Sequence, residues 1–64
     1  MFTSLTFKQK RQLMDKLYRA SSRNFVKSDL RLATGDRDGS FDLYMVGGDL
    51  YKLATEIYHE AYKA

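Results

Sequence analysis

These 64 residues contain no cysteine, no proline and only one histidine. Without cysteine there is no disulfide and no thiolate zinc site, and a single imidazole cannot build a histidine metal centre within one chain. The chain also lacks repeats and low-complexity linkers, so nothing marks an internal boundary, and residues 1–64 are read as one domain. Long hydrophobic runs are missing as well. The stretch MFTSLTFKQKRQ has no apolar core of signal-peptide length. No segment approaches the roughly 18 apolar residues that a membrane span requires. A soluble, cytoplasmic protein with no membrane partner is expected.

What is present argues for a folded chain. Hydrophobic residues make up 44%, with five Tyr and four Phe, more than a disordered tail carries. A chain this short buries only about 60% of its unfolded surface. With no disulfide or metal to compensate, it either packs well enough to stand alone or completes its core by oligomerising or binding a partner. Charge is unevenly placed. Residues 1–32 hold eight Lys/Arg and two Asp, for +6, and residues 33–64 hold three Lys/Arg and six Asp/Glu, for −3. Such asymmetry marks either a surface for an acidic partner or two halves that attract each other in the fold.

The clearest helix runs from Asp49 to Lys63. At about 100° per residue, Leu50, Leu53, Ala54, Ile57 and Ala61 share one side, Tyr51, Tyr58 and Tyr62 form a stripe along its flank, and Thr55, Glu56, His59 and Glu60 fall on the polar half. An earlier helix is predicted from Phe7 to about Ser21. It opens on a capping box, Thr6 to Gln9, and stops where Ser21, Ser22 and Asn24 lower helix propensity. Lys8, Lys10 and Arg11 stand in its first turn, where the macrodipole prefers carboxylates.

Between these helices the sequence predicts a β-hairpin over Phe25–Val46. Phe41, Leu43 and Met45 alternate with Asp42, Tyr44 and Val46, Lys27–Thr34 is the weaker partner strand, and Asp36–Gly39 is the loop that keeps both apolar sets on one face. The rival reading makes Ser28 an N-cap and Asp29–Thr34 a short helix ending at Gly35. Gly47-Gly48 then turns the corner and Asp49 caps the last helix. The expected architecture is α+β, in the order α-β-β-α, with both helices on one face of the hairpin.

Few constellations carry chemistry. Asp36, Asp38, Ser40 and Asp42 alternate as in a calcium loop, but Phe41 and Gly47 stand where an EF-hand needs glycine and glutamate, which leaves a solvated turn. Glu56 and His59 have the spacing of a di-metal helix without the other ligands. Gly47-Gly48 could offer amides to an anion, but Asp49 already supplies negative charge there. No catalytic residue, cofactor, metal or small-molecule substrate is implied. Two surfaces remain. Lys8, Lys16, Arg19 and Arg23, with Arg11 at the margin and Lys27 and Arg31 following, form a basic stripe of the kind that contacts phosphates by counterion release. Tyr51, Tyr58 and Tyr62 offer amphipathic area of the kind enriched at interfaces. The expected function is a small non-catalytic binding protein whose basic first helix meets an acidic partner, nucleic acid first, with little sequence specificity. The alternative is a protein-binding regulator or inhibitor of the phage or mobile-element accessory type, working through the tyrosine stripe or the hairpin edge. A homodimer is compatible with both.

Overall fold

The computed structural model describes residues 4–62. It consists of two antiparallel helices, α1 (Phe7–Ala33) and α2 (Arg37–Ala61), in a hairpin measuring 45 × 17 × 15 Å. No strand occurs among the described residues, so the α+β expectation is wrong. The two predicted strands are the last turns of α1 and the first turns of α2.

The capping box is present. Thr6 Oγ1 accepts from the Gln9 amide at 3.1 Å, and Gln9 Oε1 accepts from the Thr6 amide at 2.9 Å. No carboxylate follows in that first turn. The predicted stop near Ser21 does not occur: α1 runs on to Ala33. Neither does Ser28 cap a separate short helix, because it lies buried within α1, before its last turn. Asn24 is accommodated within the helix by donating to the Ala20 carbonyl at 2.8 Å.

The turn between the helices is three residues long. Gly35 takes φ +86°, a conformation that costs a residue with Cβ about 1–2 kcal/mol. Its amide donates to the Leu32 carbonyl at 3.0 Å and the Asp36 amide to the Arg31 carbonyl at 2.9 Å, the paired bonds of a Schellman ending. Asp36 then caps α2, its Oδ1 accepting from the Gly39 amide at 2.9 Å, while its Oδ2 sits 3.4 Å from Arg31 Nη1. Asp36 therefore closes one helix and opens the next. A Cβ at Gly39 would collide with that capping carboxylate.

Gly47-Gly48 is not a corner, and Asp49 is not a cap; all three lie inside α2. Two glycines in a helix interior cost about 1 kcal/mol each, so packing must offset them. It does so at Gly47, which is buried against α1: a Cβ there would lie 3.0 Å from Phe25 Cε1 and 3.3 Å from the Ser21 carbonyl oxygen.

The seam is built from small residues. Ser21 and Ser28 in α1, and Ser40, Gly47, Ala54 and Ala61 in α2, recur every seventh residue, a spacing that keeps one stripe facing the partner helix. Ser21 Oγ donates to the Gly47 carbonyl at 2.7 Å. Ser28 Oγ donates to the Ser40 carbonyl at 2.7 Å and lies 2.9 Å from Ser40 Oγ. All three serines are buried, and their hydroxyls are satisfied only because the helices approach closely. The apolar core is correspondingly thin. Ala54 and Ile57 are its only buried hydrophobic side chains among the described residues.

Candidate functional site

Taking the small-residue seam as position a of the seven-residue repeat, the remaining columns follow around each helix in the order a, e, b, f, c, g, d. The hairpin then has two broad faces and two long edges.

The first face is aromatic. Column e carries Tyr18 and Phe25 from α1, and Tyr44, Tyr51 and Tyr58 from α2; column b of α2 adds Phe41 and Tyr62. Rings meet across the seam, with Tyr18 against Tyr51 at 5.4 Å, Phe25 against Tyr44 at 5.4 Å and Phe7 against Tyr62 at 5.3 Å. Tyr58 stacks at a tilt on Tyr62 at 4.8 Å. The contacts leave the rings half in water: Tyr44, Tyr51, Tyr58 and Tyr62 keep 45–59% of their surface, and Phe41 keeps 62%. The predicted stripe of Tyr51, Tyr58 and Tyr62 is thus one part of a longer surface that begins at Phe41. Its first part, Phe41 and Tyr44, lies in α2 where the sequence predicts a strand. Thr55, expected on the polar half, instead faces α1, with its hydroxyl 3.5 Å from that of Tyr18.

The second face, built from columns d and g, is aliphatic along α2 and along the first half of α1, and carries Asn24, Lys27 and Arg31 further along α1. Leu13 and Leu17 of α1 and Leu43, Leu50 and Leu53 of α2 are half-buried, and Val46 is 49% exposed. At one end, Lys10 Nζ lies 3.6 Å from Glu60 Oε1. That oxygen is out of water and has no hydrogen-bond partner among the described residues, so the pair holds it by charge alone.

The edges carry the charge. Lys8, Lys16, Arg19 and Arg23 are all exposed on the outer side of α1, and Arg11 is exposed at the margin of the aromatic face. The stripe is not purely basic: Asp15 Oδ2 lies 3.2 Å from Arg19 Nε, and Asp29 is exposed on the same side. Asp42, Asp49 and Glu56 form an exposed acidic column on the far side of α2. Away from the interhelical turn, Lys10–Glu60 is the only ion pair between the halves among the described residues. Among the described residues the basic edge of α1 and the acidic column of α2 therefore do not cover one another.

The remaining candidates disperse. Asp36 is a cap, Asp38 lies in the first turn, Ser40 is buried and Asp42 is exposed, so their alternation converges on nothing. His59 is exposed, with its ring 5.7 Å from that of Tyr58. Among the described residues no group of three or more His, Cys, Asp or Glu is placed to hold a metal ion, and no helix is long and apolar enough to cross a membrane. Comparison with protein-family models, curated proteins and solved structures finds no match to this chain.

Proposed function

We infer that this protein is a non-catalytic binding module, acting in the cytoplasm, that presents its aromatic face to a protein target as a regulator or inhibitor. One observation carries the reading: a continuous aromatic surface from Phe41 to Tyr62 that stays half exposed after the two helices have packed. Contiguous exposed apolar surface of this kind marks interaction sites on soluble proteins. Tyrosine suits a surface that must be soluble alone and dry when bound, since its ring supplies area and its hydroxyl a hydrogen bond. The fitting target is an apolar surface with hydrogen-bond acceptors at its rim.

Phe41 gives the cleanest test. Phe41 is 62% exposed, so Phe41→Ala should leave the hairpin intact while deleting exposed aromatic area. A target captured by the wild type should be lost by Phe41→Ala and by Tyr58→Ala, both of which should keep their helical circular dichroism. Retention of the target by both variants would reject the reading.

A second reading has its own support. Because α2 leaves the basic edge of α1 uncovered, Lys8, Lys16 and Arg23, together with Arg19 beside Asp15, are exposed where phosphates could reach them. Fluorescence anisotropy with short duplex DNA, single-stranded DNA and RNA at several salt concentrations tests it. Binding through this edge should weaken steeply with salt and weaken for all sequences alike in Arg19→Glu/Arg23→Glu. No binding at low salt ends it.

A further inference from the structure

We propose that the aliphatic face is covered by a second copy of this chain, in a four-helix bundle with both interhelical turns at the same end. The proposal goes beyond the binding reading and does not rest on it.

The area comes first. A folded monomer of 7.5 kDa exposes about 4,200 Å². This hairpin exposes 5100 Å². The excess is that of an elongated hairpin with a thin core, and it leaves room for the roughly 800 Å² that each partner loses in an interface of standard size. Two buried apolar side chains, Ala54 and Ile57, are also too few to offset the conformational entropy of ordering two long helices. Stacking a second hairpin on Leu13, Leu17, Leu43, Val46, Leu50 and Leu53 supplies the missing core.

Charge selects the occupant and its orientation. Column c borders this face on both helices. On α1 it holds Lys16 and Arg23, and on α2 it holds Asp42, Asp49 and Glu56. The face is therefore an apolar strip, interrupted on α1 by Asn24 and Lys27, with a basic border on one side and an acidic border on the other. The aromatic face lacks this arrangement, because column b of α2 is uncharged: Phe41, Gly48, Thr55 and Tyr62.

Two symmetric ways of stacking the faces exist. A twofold axis along the helices lays α1 of each copy beside α2 of the other and brings basic border to acidic border at both seams. A twofold axis across the helices lays α1 on α1 and α2 on α2 and brings like borders together. Only the first is complementary. The heights agree too. The register Ser21–Gly47 puts Lys16 level with Lys52 and Arg23 level with Met45. Asp49 and Asp42 each lie three residues away, about 4.5 Å along the axis, within reach of a Lys or Arg side chain. One exposed pair of this kind adds little affinity, but the twofold axis repeats the two pairs to make four, enough together to choose between the two orientations, while the apolar strip supplies most of the binding.

Sedimentation equilibrium over a range of protomer concentrations tests the association. A spin label at Arg37→Cys, the only cysteine in the chain, tests the orientation. The expected result is a dimer whose labels are much closer together than the 45 Å length of the hairpin. Lys16→Glu/Arg23→Glu should weaken that dimer about tenfold or more at low salt with helicity retained, and adding Asp42→Lys/Asp49→Lys to the same chain should restore it. A monomer at every concentration would overturn the proposal. So would a dimer with labels about one hairpin length apart, or one whose affinity ignores the charge reversal.

Discussion

Gly47 and Gly48 are adjacent in one helix, yet the structure gives their replacement by alanine opposite consequences. Both variants gain the same intrinsic helix propensity, about 0.8–1.0 kcal/mol. At Gly48 a Cβ would meet nothing within 4 Å, so Gly48→Ala should keep the whole gain. That is about a fivefold increase in the folded-to-unfolded ratio, and about 4–8 °C in Tm for a domain of this size. At Gly47 the new methyl would lie 3.0 and 3.1 Å from two Phe25 ring carbons and 3.3 Å from the Ser21 carbonyl oxygen, inside the 3.5–4.0 Å optimum for carbon contacts. The ring cannot retreat freely, because it packs on Tyr44 at 5.4 Å. Moving α1 away instead would stretch the 2.7 Å bond from Ser21 to the Gly47 carbonyl. Overpacking of this kind costs about 1–3 kcal/mol, which cancels or exceeds the propensity gain. Urea unfolding followed by circular dichroism, at one protomer concentration because association shifts apparent stability, should rank Gly48→Ala above wild type and Gly47→Ala at or below it. The gap between the two variants measures the packing cost alone. Equal stabilisation of both would refute the close approach at Gly47, and no stabilisation at Gly48 would refute the helix through it.

Three further outcomes follow from the seam and its ends. Ser28→Ala leaves the buried Ser40 hydroxyl without its partner and should cost about 1–3 kcal/mol. Ser40→Ala should cost less, because Ser28 still donates to the Ser40 carbonyl, and denaturant titration should find the double variant more stable than Ser28→Ala. Lys10→Met leaves Glu60 Oε1 out of water with no counter-charge and should destabilise by about 1–3 kcal/mol, less than for a fully buried pair; Lys10→Met/Glu60→Leu should recover that loss in thermal unfolding. Gly35→Ala should lower stability by about 1–2 kcal/mol, the cost of a Cβ in the left-handed region. Gly35→Asn should lower it by less, and neither should change the helical content seen by circular dichroism.

Local signals were legible wherever a residue's role depends on its neighbours in the chain. The capping box at Thr6 and Gln9 is one case, and the buried side of the last helix, with Ala54 and Ile57 fully enclosed, is another. The exposed basic edge at Lys16, Arg19 and Arg23 is a third. The β-hairpin failed because Phe41, Leu43 and Met45 satisfy a two-residue period while Ser40, Leu43, Gly47 and Leu50 satisfy a helical one equally well. Choosing between them required counting serine and glycine as core, which their polarity and low helix propensity argue against. The seven-residue recurrence of small residues, from Ser21 to Ser28 and from Ser40 through Gly47 and Ala54 to Ala61, was the available signal. It ran through the segment read as strand and corner, and so it was broken in two.

The candidate surfaces divide in the same way. Composition and charge order by themselves determined a chain without disulfides, rich in tyrosine, basic in its first half and acidic in its second. Only the tertiary structure decided that the two halves leave each other's charge exposed, and that the aromatic surface extends back to Phe41. The physical reason lies in the seam. Small residues let two helices approach until serine hydroxyls reach the facing carbonyls, and that approach turns glycines into helix interior. It also consumes so little apolar area that most of the large side chains remain at the surface, where a partner can reach them.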